Sequence, residues 1–139
     1  MNATLARSLL PAALLAALGA AGCSSLPFGE DPESSMVVRS QPKGGGGTVR
    51  IASFALGAPG YVVVHADANG RPGPVIGRSD LIEAGTYQNV SVEIDASRAG
   101  DRVHPMLHID DGDGVYEFPG ADGPALNAGQ PVTAPVDWL

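Results

Sequence analysis

Cysteine is almost missing from this chain of 139 residues: Cys23 is the only one. No disulfide can form within the chain, so its folded part must be held by its core alone unless a metal assists. Lysine is equally scarce. Lys43 stands beside seven arginines, against fifteen acidic residues, for a formal net charge of −7. That balance argues against nucleic acid and against an anionic lipid surface as partners. Low lysine with excess acid fits salt-adapted proteins and GC-rich coding alike. Aromatics are few, with three Phe, three Tyr and one Trp, so the core must be built from Val, Ile, Leu and Ala. No glycine-rich phosphate loop is present, because Gly44 to Gly47 lacks the Lys-Ser/Thr ending and a following helix. Ser53, Ser79, Ser91 and Ser97 lie in no nucleophile elbow. No catalytic residues are assigned, and the chain is expected not to be an enzyme.

The apolar stretch from Leu9 to Ala21 contains Pro11 and Gly19 and follows Arg7, the one charge before Cys23. It is shorter than the roughly 20 residues a spanning helix needs. Its basic start, apolar middle and small-residue end suit an export signal over residues 1–22. Ala20-Ala21-Gly22-Cys23 resembles the lipobox of bacterial lipoproteins, in which small residues precede the lipidated cysteine. It departs at Ala20, where that family usually carries Leu, and Ala20 with Gly22 also suits ordinary signal peptidase. Both readings cut after Gly22, leaving 117 residues with seven basic and fifteen acidic groups, a net −8. The lipoprotein reading makes Cys23 an acylated anchor. Two or more acyl chains hold stably where one holds marginally. The expected address is therefore a cell membrane or outer membrane, with the protein lipid-anchored and facing the periplasm or the exterior. Ser24, which is not Asp, permits outer-membrane sorting by the lipoprotein rules.

Residues 23–47 combine Ser24-Ser25, Glu30-Asp31-Pro32-Glu33, Ser34-Ser35 and the four glycines, a composition expected of a flexible linker. Val37-Val38 is its one apolar pair, suited to a brief edge pairing. From Thr48 the pattern changes to strands. Val49 and Ile51 alternate with Arg50 and Ala52. Tyr61 to Ala66 is apolar on both faces, as in a central strand. Val90, Val92 and Ile94 oppose Asn89, Ser91, Glu93 and Asp95. Arg102 to Asp110 follows, then an Asp-Gly turn with Val115 to Phe118 returning, then a last strand near Val132 to Val136. No sustained helical stripe follows Thr48. Residues 48–139 are expected to be all-β, an antiparallel sandwich of about seven strands.

Within that stretch, Gly60-Tyr61-Val62-Val63-Val64-His65, Val75-Ile76-Gly77-Arg78-Ser79, Leu81, Ala84-Gly85, Asn89-Val90-Ser91-Val92, Met106-Leu107-His108-Ile109-Asp110, Tyr116-Glu117-Phe118 and Asp122-Gly123-Pro124 follow a familiar order. It resembles a domain of unknown function found in secreted and surface proteins of haloarchaea and in some bacterial lipoproteins. The likeness spans about residues 48–138. It implies strand content similar to an immunoglobulin-like sandwich, and it implies no activity. The resulting expectation is a non-enzymatic structural or interaction module of the cell envelope, with an envelope protein as partner.

Two constellations suggest ligands. On a strand, alternate residues share a face, which aligns His104, Met106 and His108 opposite Val103, Leu107 and Ile109. His65, the remaining histidine, would join from the neighbouring strand. Imidazole with thioether suits copper, Met favouring Cu(I), so the rival reading is a periplasmic or surface copper-binding protein. Pro105 threatens that alignment by bulging the strand. The second set is Asp110, Asp111, Asp113 and Glu117, whose carboxylates suit calcium. Its spacing fails the helix-loop-helix calcium pattern, and Asp-Gly pairs also favour plain hairpin turns.

Overall fold

The computed structural model describes residues 32–43 and 47–139. The expected export signal over 1–22 and Cys23 lie outside the described residues. Among the described residues nine strands follow one another: β1 Ser35–Val38, β2 Thr48–Leu56, β3 Gly60–Ala68, β4 Arg71–Arg78, β5 Gly85–Glu93, β6 Arg102–Ile109, β7 Leu126–Asn127, β8 Gln130–Pro131 and β9 Val136–Asp137. All pair antiparallel. One sheet runs β1-β2-β5, a second β4-β3-β6-β9, and β7-β8 is a small separate hairpin. The two larger sheets hold seven strands, as expected for the sandwich. Among the described residues the only helical turn is a 3-10 turn at Ala96–Arg98, capped by the Asp95 side chain.

The main core lies between those sheets. Val49, Ile51, Phe54 and Leu56 of β2 meet Val62 and Val64 of β3, and Val103 and Leu107 of β6. The numbering in β2 changes from odd to even because the alternation flips between Ile51 and Phe54. In β1, Val37 pairs with Ser53 and Val38 with Ile51, which leaves Ala52 as the extra residue of a bulge. β5 flips at the same level, where Asn89 adopts a left-handed φ of 54°. Tyr87 on one side of it stacks on Phe54 at 5.1 Å, while Val90 and Val92 on the other side turn inward as expected.

β4 shows why a proline-bearing run can still be a strand. Pro72 and Pro74 cannot donate to a ladder, and β4 is an edge. The β3–β4 connection is a tight turn. Asn69 and Gly70 alone make it, with φ of 57° and 82°, the backbone of a two-residue hairpin. Gly77 lies against the Glu93 carbonyl of β5, and the Asp95 amide donates to the Ile76 carbonyl at 2.8 Å. The two sheets are thus joined along one side.

The structure departs from expectation in two places. Ser35–Val38 falls inside the stretch expected to be flexible linker; the brief edge pairing expected at Val37-Val38 is there, but as a four-residue edge strand along β2 with Met36 and Val38 packed on the core. Alternate inward residues in a four-residue strand were hidden by the polar composition around them. The second departure concerns Val115 to Phe118, expected to return as a strand. It is irregular, because aspartate side chains on either side take its backbone donors: Asp113 accepts from the Val115 amide and Asp122 from the Glu117 amide.

Candidate functional site

β3 and β6 are buried on both faces. Their inner residues join the main core. Their outer residues form a second layer: Tyr61, Val63 and His65 of β3 with His104, Met106 and His108 of β6, all buried. The loop between β6 and β7 covers this face through Tyr116 and Phe118. The expected alignment of His104, Met106 and His108 opposite Val103 and Leu107 therefore holds, and Pro105 stays in the strand, in register with Val64. His65 lies directly across from His104.

The three histidines nevertheless take different partners. His104 Nε2 lies 2.6 Å from Asp67 Oδ1; a carboxylate accepts, so this nitrogen carries the proton. His65 Nδ1 donates to the Gly73 carbonyl at 2.7 Å. His108 Nδ1 donates to the Asp122 carbonyl at 2.8 Å. The Nε2 atoms of His65 and His108 then face each other at 3.3 Å. The ring centroids are 5.5 Å apart with an interplanar angle of 23°. Since the nitrogens are much closer than the centroids, the rings meet edge to edge, not face to face. Phe118 crosses both perpendicularly, with its centroid 4.6 Å from His108 and 5.6 Å from His65. The geometry thus brings His65 and His108 together and turns His104 to Asp67.

Burial pushes both rings below the ordinary imidazole range, more than their carbonyl bonds pull them back. The His104 hydrogen bond, helped by the Gly70 amide, holds the Asp67 carboxyl below its usual range. A histidine with a depressed folded value contributes stability above about pH 6.5 that is lost as pH falls, because the unfolded chain takes the proton more readily. Asp67 adds a loss further down, below its ordinary 3.8. The melting temperature is expected to fall steadily from pH 7 to pH 5, with each ring contributing up to about 1.4 kcal/mol per pH unit. Calorimetry across that range checks it; a flat profile contradicts the buried neutral pair.

The loop that roofs this layer is fastened by Asp122. Its carboxylate is wholly buried and accepts from the Asp111 amide at 3.0 Å and the Glu117 amide at 2.7 Å. Arg78 lies over the Tyr116 ring at 4.8 Å and near the Tyr61 ring at 5.8 Å. Neither Asp122 nor Arg78 stood out as a site residue in the sequence. The signal for Asp122 was its place in the Asp-Gly-Pro run, which reads as turn chemistry and hides a buried carboxylate.

Asp110, Asp111 and Asp113 bring carboxylate oxygens within 4.8 Å of one another, the only such grouping of three metal-ligating residues among the described residues. Glu117 is not part of it. Each of the three already accepts main-chain amides: Asp110 from Gly112 and Gly114, Asp111 from Asp113, and Asp113 from Val115. Side-chain turns of this kind account for the cluster without a cation. On the first sheet's outer face an open depression of about 890 Å³ is lined by Arg39, Arg50, Asn89 and Ser91 among others.

A family model described as a domain of unknown function, DUF7282, matches residues 34–137. The chain belongs to this family. The match begins within one residue of β1, and so includes the strand that composition had assigned to the linker. Cell surface glycoprotein 2 of Haloarcula hispanica is 33% identical over 106 residues, 74% of this chain and 11% of that protein. Cell surface glycoprotein 1 of the same organism is 30% identical over 105 residues, again 74% and 11%. The chain spans about a tenth of the length of these relatives. No solved structure matches. The matched residues fold as the all-β sandwich described above, and they are similar to segments of cell surface glycoproteins.

Proposed function

We propose that this chain is a lipid-anchored module of the cell envelope, displayed outside the cytoplasmic membrane and acting through binding, not catalysis. The observation that carries this reading is the family match across the folded part to segments of two cell surface glycoproteins. The lipobox-like Ala20-Ala21-Gly22-Cys23 adds the means of attachment. The fold adds a means of contact, since β1, β4 and β5 are sheet edges and an exposed edge can accept a strand from an envelope partner. Prolines in β4, and the contact of β4 with the end of β5, leave β1 as the better edge. The acidic surface speaks for a protein partner and against nucleic acid.

Cell fractionation of the native chain and a Cys23→Ser variant tests the anchor. The native chain is expected in the membrane fraction, with an N-terminal mass carrying acyl chains on Cys23 and with protease accessibility in intact cells or spheroplasts. The variant is expected to be released and unmodified. An unmodified native N-terminus, or a variant that stays equally membrane-bound, sinks the anchor. A protein retained in the cytoplasm sinks the whole reading.

A further inference from the structure

The His65–His108 pair poses a chemical problem that the fold itself does not resolve. Each Nδ1 donates to a backbone carbonyl, so in the neutral rings each Nε2 is left as a bare lone pair. The two nitrogens face each other across 3.3 Å, in a setting where His65 is 2% and His108 0% exposed. Two acceptors facing each other without a donor repel. Something electron-poor belongs between them.

We propose that His65 and His108 bind a single cuprous ion through their Nε2 atoms, with the Met106 thioether as the third donor. Several observations converge on it. A ligating histidine characteristically gives its other ring N–H to a carbonyl or carboxylate, which fixes the tautomer; both rings do so here. Two nitrogens, each about 2.0–2.1 Å from one ion at a near-tetrahedral angle, lie about 3.3 Å apart, with the ion to one side of the line joining them. Met106 stands on the same face of β6, two residues before His108, and is itself buried. The three donors are neutral and soft or intermediate, a set that selects copper in its lower oxidation state over hard cations. A divalent ion would bring two charges into a buried setting whose donors carry none. The neighbouring carboxylates are committed elsewhere, Asp67 to His104 and Asp122 to two main-chain amides. Phe118 packs against both rings and shields the pair.

This inference does not depend on how the chain is anchored. Its test uses the full chain carrying Cys23→Ser, so that the thiol supplies no ligand. Anaerobic titration with Cu(I) against a chromophoric Cu(I) chelator is expected to give one ion per chain, held tighter than micromolar. His65→Gln and His108→Gln are each expected to weaken binding by more than about 100-fold, beyond what loss of an outer-shell partner typically causes. His104→Gln is expected to change it by less than about threefold, and Met106→Leu to lie between. Because Cu(I) is diamagnetic, long-range proton–nitrogen NMR on the chain with all three histidines intact gives an independent reading even if a variant fails to fold. The Nε2 signals of His65 and His108 shift on adding Cu(I), and those of His104 do not. No binding at micromolar Cu(I), binding that survives loss of either ring, or a shift confined to His104 or to no histidine overturns the site and leaves the pair sharing a proton.

Discussion

Gly60→Ala is expected to abolish stable folding, or to lower stability by about 3 kcal/mol or more. Gly60 opens β3 opposite Ile109 of β6, and a methyl group there would collide with the His108 carbonyl oxygen. The obstacle is main chain, so no rotamer change can relieve it. The surroundings are equally fixed, since Gly60 exchanges two hydrogen bonds with Ile82 at 2.8 and 2.9 Å. Relief would have to separate β3 from β6, the two strands that carry both buried layers. Gly123→Ala supplies the comparison. Its added methyl meets nothing within 4 Å, and its φ is not in the left-handed region, so its stability should stay within about 0.5 kcal/mol of the parent. Urea unfolding of the two variants distinguishes them. Equal midpoints would show that the β3–β6 seam tolerates expansion.

Asp122→Ala is expected to be the most damaging side-chain deletion in the outer layer, at about 2–4 kcal/mol. Two main-chain amides lose a charged acceptor at once, at a position where the Asp122 side chain is itself fully buried. The consequences should be local as well as global. Amide hydrogen exchange at Asp111 and Glu117, whose N–H groups Asp122 receives, should accelerate beyond the change in global stability. The His108 ring should lose its fixed tautomer, because the carbonyl it donates to belongs to the same residue. Asp122→Asn retains one accepting oxygen and should fall between parent and alanine variant. Exchange rates that track global stability alone would mean that the loop is held by Tyr116 and Phe118 instead.

The sequence already carried the sandwich because its inner faces obey simple rules. Val90-Ser91-Val92 alternates, Tyr61 to Ala66 is apolar on both sides, and glycine with proline marks the turns. The alignment of His104, Met106 and His108 was readable for the same reason, as strand period alone places them. What alternation does not encode is which ring nitrogen meets which acceptor. Pairing His65 with His108 and not with His104 depends on Asp67, which reads as a turn residue, and on Gly73 and Asp122 offering backbone carbonyls. β1 was legible only as the Val37-Val38 pair, and its full length and the inward Met36 were diluted by a polar and charged neighbourhood. The β6–β7 loop was misread because aspartate-glycine runs serve both hairpins and side-chain turns, and the difference lies in where each carboxylate points.

The central β3–β6 pair, buried on both sides, divides the molecule's susceptibility to change. Its inner layer is shared by every element of the two large sheets, so an altered volume there is felt throughout. Its outer layer touches one sheet and one loop. Variation in the length or composition of the stretch from Asp110 to Ala125 would therefore re-dress the histidine face while leaving the sandwich beneath it intact. A lineage built on this scaffold can exchange what the outer layer holds far more readily than it can exchange the fold, much as a fixed handle accepts different blades.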